Sequence, residues 1–206
     1  MRSFLSCTLF FACLVSAVGA RAQYLVDPAS CTVTINTDQR VSLVVCPDND
    51  GTRLDRAQLF GGETVDAAIE VVLRDAAGRP AIYATELDLW LAAPGMEFCR
   101  GSNVPDFPIA ADGSTGFLRP RRGGGCLREP GLRVIYNGDP LGDGPIPNVI
   151  MNSPDLNGDG VINLVDVYRF AEAFDNNDYA GDFVWDGRLD LADVAAFARH
   201  LEHSCP

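Results

Sequence analysis

Polar and apolar residues alternate with a period of two in short stretches over the first 153 residues, and the period then changes. Thr32, Thr34 and Asn36 interleave with Val33 and Ile35, and the run Val41-Ser42-Leu43-Val44-Val45 follows a polar turn at Asp38-Gln39-Arg40. Both pieces predict strands, because a two-residue period sends alternate side chains to opposite faces of a pleated chain. The same reasoning predicts strands over residues 64–74, 81–91, 115–119, 132–136 and 148–152. Residues 99–125 are rich in Gly, Pro, Ser and Asn and predict mostly loop, and Trp90 and Phe98 read as core or edge aromatics. Seven or so short strands with frequent turn signals, and no helical period, predict a sandwich of two antiparallel sheets. After Ser153-Pro154 the apolar residues Val165, Val167, Tyr168, Ala171 and Phe174 recur at helical spacing, as do Val194, Phe197, Ala198 and Leu201.

Each predicted helix is preceded by an acidic loop. Residues 155–166 read Asp-Leu-Asn-Gly-Asp-Gly-Val-Ile-Asn-Leu-Val-Asp, and a second copy at residues 182–193 reads Asp-Phe-Val-Trp-Asp-Gly-Arg-Leu-Asp-Leu-Ala-Asp, offset by 27 residues. The first copy places oxygen-bearing side chains at loop positions 1, 3, 5, 9 and 12 and a glycine at position 6, the spacing of a calcium loop. Carboxylates this dense repel one another unless a hard cation neutralises them. The candidate ligands are Asp155, Asn157, Asp159, Asn163 and Asp166, with the Val161 carbonyl at position 7. In the second loop they are Asp182, Asp186, Asp190 and Asp193, with the Arg188 carbonyl. Val184 stands at position 3 there, so one side-chain oxygen is lost and a weaker second calcium site is expected.

Charge and cysteine content narrow the setting. The net charge is -12, which argues against nucleic acid as a partner, since phosphate binding needs a basic footprint. The surplus is local: residues 155–202 hold eleven Asp and Glu against three Arg. Residues 1–22 read as a secretory signal, with Arg2, an apolar stretch over residues 4–18 and the cleavage site Ala20-Arg21-Ala22. The expected product is a secreted, extracellular or cell-surface protein without a membrane span. Export makes disulfides the expected state of its cysteines. Cys31 with Cys46 and Cys99 with Cys126 are the expected local pairs, leaving Cys205 free or cross-linked to another chain. A zinc site is disfavoured, because there is no C-x-x-C pair and the only histidines are His200 and His203. The turn at residues 47–51 carries an Asp-x-Asp-Gly fragment that reads chiefly as a plain turn. Arg119, Arg121 and Arg122 beside Gly123-Gly124-Gly125 read as a solvated hairpin tip or as a docking patch for an acidic surface.

Two resemblances follow from these motifs. The tandem loop-plus-helix pattern resembles the dockerin type I fold, including Asp at position 12 of both loops and the lack of an entering helix before the first. The turns Asp75-Ala76-Ala77-Gly78-Arg79-Pro80 and Asp112-Gly113-Ser114-Thr115-Gly116 resemble the turn motifs of bacterial immunoglobulin-like domains of the invasin/intimin type. Together they imply a mainly β chain: a signal at residues 1–22, an immunoglobulin-like β-sandwich with an N-terminal arm at residues 23–153, and a small all-α, dockerin-like calcium module at residues 154–206. The dockerin resemblance implies Ca2+ as ligand and docking through loop positions 10 and 11 and the following helix. Those positions are Leu164-Val165 and Leu191-Ala192, more apolar than the hydroxyl-bearing pairs common in that family, and they could pack on the sandwich or on a neighbouring subunit. No nucleophile elbow, phosphate loop or dinucleotide fingerprint is present, so a non-enzymatic role is expected. The functional expectation is a secreted calcium-binding structural or protein-interaction protein. The alternatives are a subunit of a self-assembling filament, with copies of itself as partner, and a cohesin-bound component of a polysaccharide-degrading assembly.

Overall fold

The computed structural model describes residues 25–127 and 131–206, so the expected signal and the start of the mature chain lie outside the described residues. The fold is mainly β, with two α-helices near the C-terminal end. In chain order the strands are β1 (Thr32–Ile35), β2 (Val41–Val44), β3 (Ala57–Leu59), β4 (Thr64–Val65), β5 (Ile69–Val72), β6 (Leu89–Ala92), β7 (Met96–Phe98), β8 (Ser114–Phe117), β9 (Gly123–Leu127), β10 (Arg133–Tyr136), β11 (Asp139–Pro140) and β12 (Val149–Asn152). The helices are α1 (Leu164–Asn176) and α2 (Leu191–Ala198).

Three sheets form among the described residues, where two were expected: β1-β5-β8, β11-β10-β6 and β4-β3-β2-β12-β9-β7. One core serves all three, through Leu43, Ile69, Val71, Leu89, Leu91, Phe117, Leu127, Val134 and Met151. The pairing is antiparallel except at the centre of the six-stranded sheet, where β12 runs parallel to β2 with Val149 opposite Val41 and Asn152 opposite Val44. Strands covered on both faces read as continuous apolar runs rather than alternating ones. All four residues of β12 are buried, and so are Val41, Ser42 and Leu43 of β2. One face of this sheet meets the main core, and on the other Val44 packs against a second cluster of Ile162, Phe170, Phe183, Ala196 and Phe197. The rings of Phe170 and Phe197 stack at 5.0 Å, and those of Phe170 and Phe183 at 5.8 Å. Each buried Phe contributes about 1.5–3 kcal/mol of transfer free energy.

Several expectations need correction. Residues 81–88 are turns and a short 3-10 segment rather than strand, and Ile82, Tyr83 and Leu87 point to solvent. The glycine run Gly123-Gly124-Gly125 opens a strand, β9, inside the stretch expected to be loop. The N-terminal arm is not detached from residue 25 onward: β1 pairs with β5, and Val26 bridges to Asp75. Helix α1 exists, but it buries Phe170 and Ala173, while Val165, Val167, Tyr168 and Phe174 of the expected apolar stripe are exposed.

Of the arginine cluster, Arg119 is exposed and Arg122 half-buried, but Arg121 does not belong to a solvated tip. Arg121 is buried, donates from Nη2 to both carboxylate oxygens of Asp106 at 2.6 Å, and donates from Nη1 to the carbonyls of Ser102 and Val104. Burial would raise the Asp106 carboxyl. The Arg121 guanidinium and the backbone N–H groups of Arg119 and Leu118 outweigh it and hold the carboxyl below its ordinary range. A lowered carboxyl stabilises the fold above its unfolded pKa, near 3.9, and that contribution is lost as pH falls through the folded value. Arg121→Met strands a buried carboxylate, so urea unfolding at neutral pH will show a loss of about 3 kcal/mol. The deficit relative to wild type will shrink as pH falls below about 4, where the wild-type pair begins to lose the contribution of its lowered carboxyl. A deficit that keeps the same size across that range contradicts this reading.

Candidate metal centre

Both acidic loops close in the same way, and the closure follows from where their N–H groups and carboxylates fall. At position 1, Asp155 accepts from Asp159 N at 3.2 Å and from Gly160 N at 2.8 Å, and Asp182 accepts from Asp186 N at 3.2 Å and from Gly187 N at 2.9 Å. At position 12, Asp166 accepts from the amides of Asn157 and Asn163, and Asp193 from those of Val184 and Asp190. Position 5 repeats as well, with Asp159 accepting from Val161 N and Asp186 from Arg188 N. The sharp turn at position 6 requires a left-handed backbone, supplied by Gly160 at φ 84° and Gly187 at φ 80°.

The last ligand positions also start the helices. Asn163 and Asp190 are N-caps with nearly identical dihedrals (φ -139°, ψ -165° and φ -140°, ψ -166°). In each case the residue at position 12 completes a capping box by accepting from the N-cap amide. Loop closure and helix initiation are therefore one hydrogen-bonded unit in both copies.

The electrostatics are unfavourable in a specific way. Asp155 and Asp166 are fully buried in one loop, and Asp182 and Asp193 are at most 3% exposed in the other. No ion pair with a basic side chain reaches any of the four among the described residues. Burial pushes the Asp155 carboxyl up from its ordinary range; the amides of Gly160 and Gly158 oppose this, and the charges of Asp166 and Asp159 add to it. Asp182 is raised in the same way, by burial first and then by Asp193, against the amides of Gly187 and Asp186. Buried carboxylates that repel each other and lack a cationic partner are costly. The surrounding donors are all oxygen, the set that suits a hard cation of the calcium class.

Each sequence-expected ligand has a clear place. Asp155, Asn157, Asp159, Asn163 and Asp166 are joined by the loop's own hydrogen bonds, and the Asn163 amide also donates to the Val161 carbonyl at 3.3 Å. In the second loop Asp182, Asp186, Asp190 and Asp193 each accept from loop or helix amides in the equivalent way, while Val184 brings an amide but no side-chain oxygen. Position 4 differs too. Gly158 takes φ 74° in the first loop, and Trp185 is forced to φ 56° in the second, where its ring packs edge-on against Phe60 and beneath Arg40.

Sequence reading missed the residues that hold the first loop from outside. Strand β9 runs directly against it, with Gly125 N donating to the Asp155 carbonyl at 2.6 Å. A Cβ at Gly124 would lie 2.0 Å from Asp155 Oδ2, so only glycine lets the sheet approach the position-1 carboxylate. The glycine triplet was the available signal, but its composition reads as a turn. On the other side the loop pairs with the C-terminal tail: Ile162 N donates to the His203 carbonyl, Glu202 N to the Ile162 carbonyl and Cys205 N to the Gly160 carbonyl, each at 2.8 Å. Cys205 closes a disulfide with Cys99, which corrects both expected local pairs; Cys31 and Cys46 are free thiols, and Cys126 is outside any disulfide. The partner of Cys205 lies 106 residues away, so the loop it closes restrains the unfolded chain by about 4.7 kcal/mol on the chain-entropy model.

No family model matches the chain, and no curated protein matches it. Among solved structures, the crystal structure of the Lin-41 filamin domain aligns with 62% of this chain and 95% of its own, at 14% identity and a TM-score of 0.28. A superposition that weak does not identify a fold. No helix among the described residues is long and apolar enough to cross a membrane.

Gly124→Ala will drive a methyl group into Asp155 and cost about 1–3 kcal/mol in urea unfolding. Gly124 is outside the left-handed region, so the loss reports the clash and not backbone strain, and a loss under about 0.5 kcal/mol counts against the close approach.

Proposed function

We propose that the protein is an exported, calcium-stabilised interaction protein, in which a dockerin-like pair of loop-helix units, mounted on an immunoglobulin-like body, carries the docking surface. The observation that supports this best is the repeated closure of the two loops around buried, uncompensated carboxylate pairs. A divalent cation in each would remove the repulsion between positions 1 and 12. Asp155, Asn157, Asp159, Asn163 and Asp166, with the Val161 carbonyl, would hold the first ion. Asp182, Asp186, Asp190 and Asp193, with the Arg188 carbonyl, would hold a second, more weakly. The Cys99–Cys205 disulfide fits an oxidising compartment.

The docking face follows from the same repeat. Leu164 and Leu191 occupy position 10 of their loops and are 83% and 82% exposed, with Val165, Tyr168 and Val194 beside them. These residues therefore do not pack on the sheets. Large apolar side chains this exposed at equivalent places in two copies suit a protein partner, and the dockerin resemblance implies a cohesin-type domain. The filament reading loses two of its motivations, since β1 is paired within the chain and Cys205 is bonded to Cys99.

Calorimetric titration of the chelator-treated protein with Ca2+ will resolve two binding events of unequal affinity. Asp155→Asn will abolish the tighter one. Val184→Asp will tighten the weaker one roughly tenfold, about 1.4 kcal/mol. Calcium at a hundredfold excess over its Kd adds about 2.7 kcal/mol of stability. Leu164→Asp with Leu191→Asp will abolish capture of a cohesin-type domain from a panel while leaving calcium binding intact. Absence of calcium binding, or cohesin capture that survives the double substitution, overturns the corresponding half of the reading.

A further inference from the structure

A second, chemically different cluster of metal-ligating side chains lies where the C-terminal tail crosses the sheet. Cys46 follows β2 and is fully buried, and Asp48 lies in the turn after it. His200, just beyond α2, is 6% exposed and reaches both: its Nε2 lies 3.8 Å from the Cys46 thiol and its Nδ1 3.4 Å from Asp48 Oδ2. His203 brings its Nδ1 onto the same Asp48 oxygen. One donor atom from each of Cys46, Asp48 and His200 lies within 4.8 Å of the others.

We propose that Cys46, Asp48 and His200 form a three-ligand binding site for one divalent transition-metal ion of the zinc class, with the fourth position left to water. Tetrahedral bond lengths near 2.0–2.3 Å separate neighbouring donors by about 3.4–3.6 Å, so three donors within 4.8 Å of one another must draw together by up to about 1 Å around an ion. A thiolate with an imidazole is a soft to borderline set that favours zinc, cobalt or nickel over calcium, whereas the acidic loops present oxygen alone. Asp48 can serve as a ligand, or it can fix the His200 tautomer through Nδ1 and leave Nε2 for the ion. A cavity of about 180 Å³, lined in part by Asp50, Thr52, Gln58 and Arg199, borders the site at His200.

The site has a mechanical consequence. His200 and His203 belong to the tail whose His203 carbonyl pairs with Ile162 of the first acidic loop. The Sγ of Cys99, half of the disulfide, lies 3.8 Å from the carbonyl oxygen of Pro47, the residue between Cys46 and Asp48. A bound ion would therefore fasten the tail to the turn after β2, beside the disulfide.

The test uses the mature, oxidised chain with saturating Ca2+ present and Co2+ as a spectroscopic stand-in for zinc. The expected result is one equivalent of Co2+ per chain, with a thiolate-to-cobalt charge-transfer band and intense ligand-field bands of tetrahedral type, all displaced by Zn2+ and not by excess Ca2+. Cys46→Ser will remove the charge-transfer band and weaken binding at least tenfold, with circular dichroism confirming that the variant is folded. His200→Gln will weaken binding to a similar degree. Calorimetry with Ca2+ on Cys46→Ser, a residue outside both acidic loops, will give the wild-type calcium isotherm, so a failure of the calcium reading is told apart from a failure here. A charge-transfer band that survives Cys46→Ser, displacement by Ca2+, or no thiolate band in wild type overturns the proposal.

Discussion

The structure depends on how the Asp155 carboxylate is buried. It faces the Asp166 carboxylate across a twelve-residue loop, both fully out of water, and the main chain of β9 lies against it with no side chain between. Amides of Gly158, Asp159 and Gly160 share the charge of Asp155, and those of Asn157 and Asn163 the charge of Asp166. Backbone dipoles can distribute such charge without cancelling it. The proposed cation would remove what repulsion remains. Because β9 and β12 belong to the six-stranded sheet, any change at this loop is felt in the body of the protein.

This explains why the C-terminal part is joined to the sheets so densely. Ser153 donates to the Gly123 carbonyl, Asn152 to the Asp182 carbonyl, and the second loop rests through Trp185 on Phe60 and Gly61. The tail then returns across the first loop to reach Cys99. Leu164 and Leu191, the proposed docking residues, remain exposed to solvent. A rigid mount of this kind limits the entropy lost when an apolar corner is engaged by a partner.

What could be read from the sequence divides by distance along the chain. The acidic loops, their glycines and their capping residues are local patterns, so the closure of both loops around Asp155, Asp166, Asp182 and Asp193 was legible, while the ligand role of these residues belongs to the proposal. The doubly buried strands β2 and β12 announced themselves as apolar runs. Strand β9 did not, because Gly123-Gly124-Gly125 exists for the approach of Asp155, a tertiary fact that leaves only a turn-like composition behind. The Cys99–Cys205 bond and the Cys46, Asp48 and His200 cluster join residues more than a hundred positions apart, and neither shows a short-range spacing. The exposed stripe of α1 misled for a related reason: Val165, Val167, Tyr168 and Phe174 keep a helical period, but they face away from the core that Phe170 and Ala173 fill.

Native-state hydrogen exchange, compared with Ca2+ and with chelator, tests the central claim most directly. If the first acidic loop is built into the sheet, calcium will slow exchange together at Gly160, in the loop, and at Gly125 and the β9 and β12 amides that pair beside it. Protection that rises in the loop and helices alone, with β9 and β12 unchanged, contradicts the account.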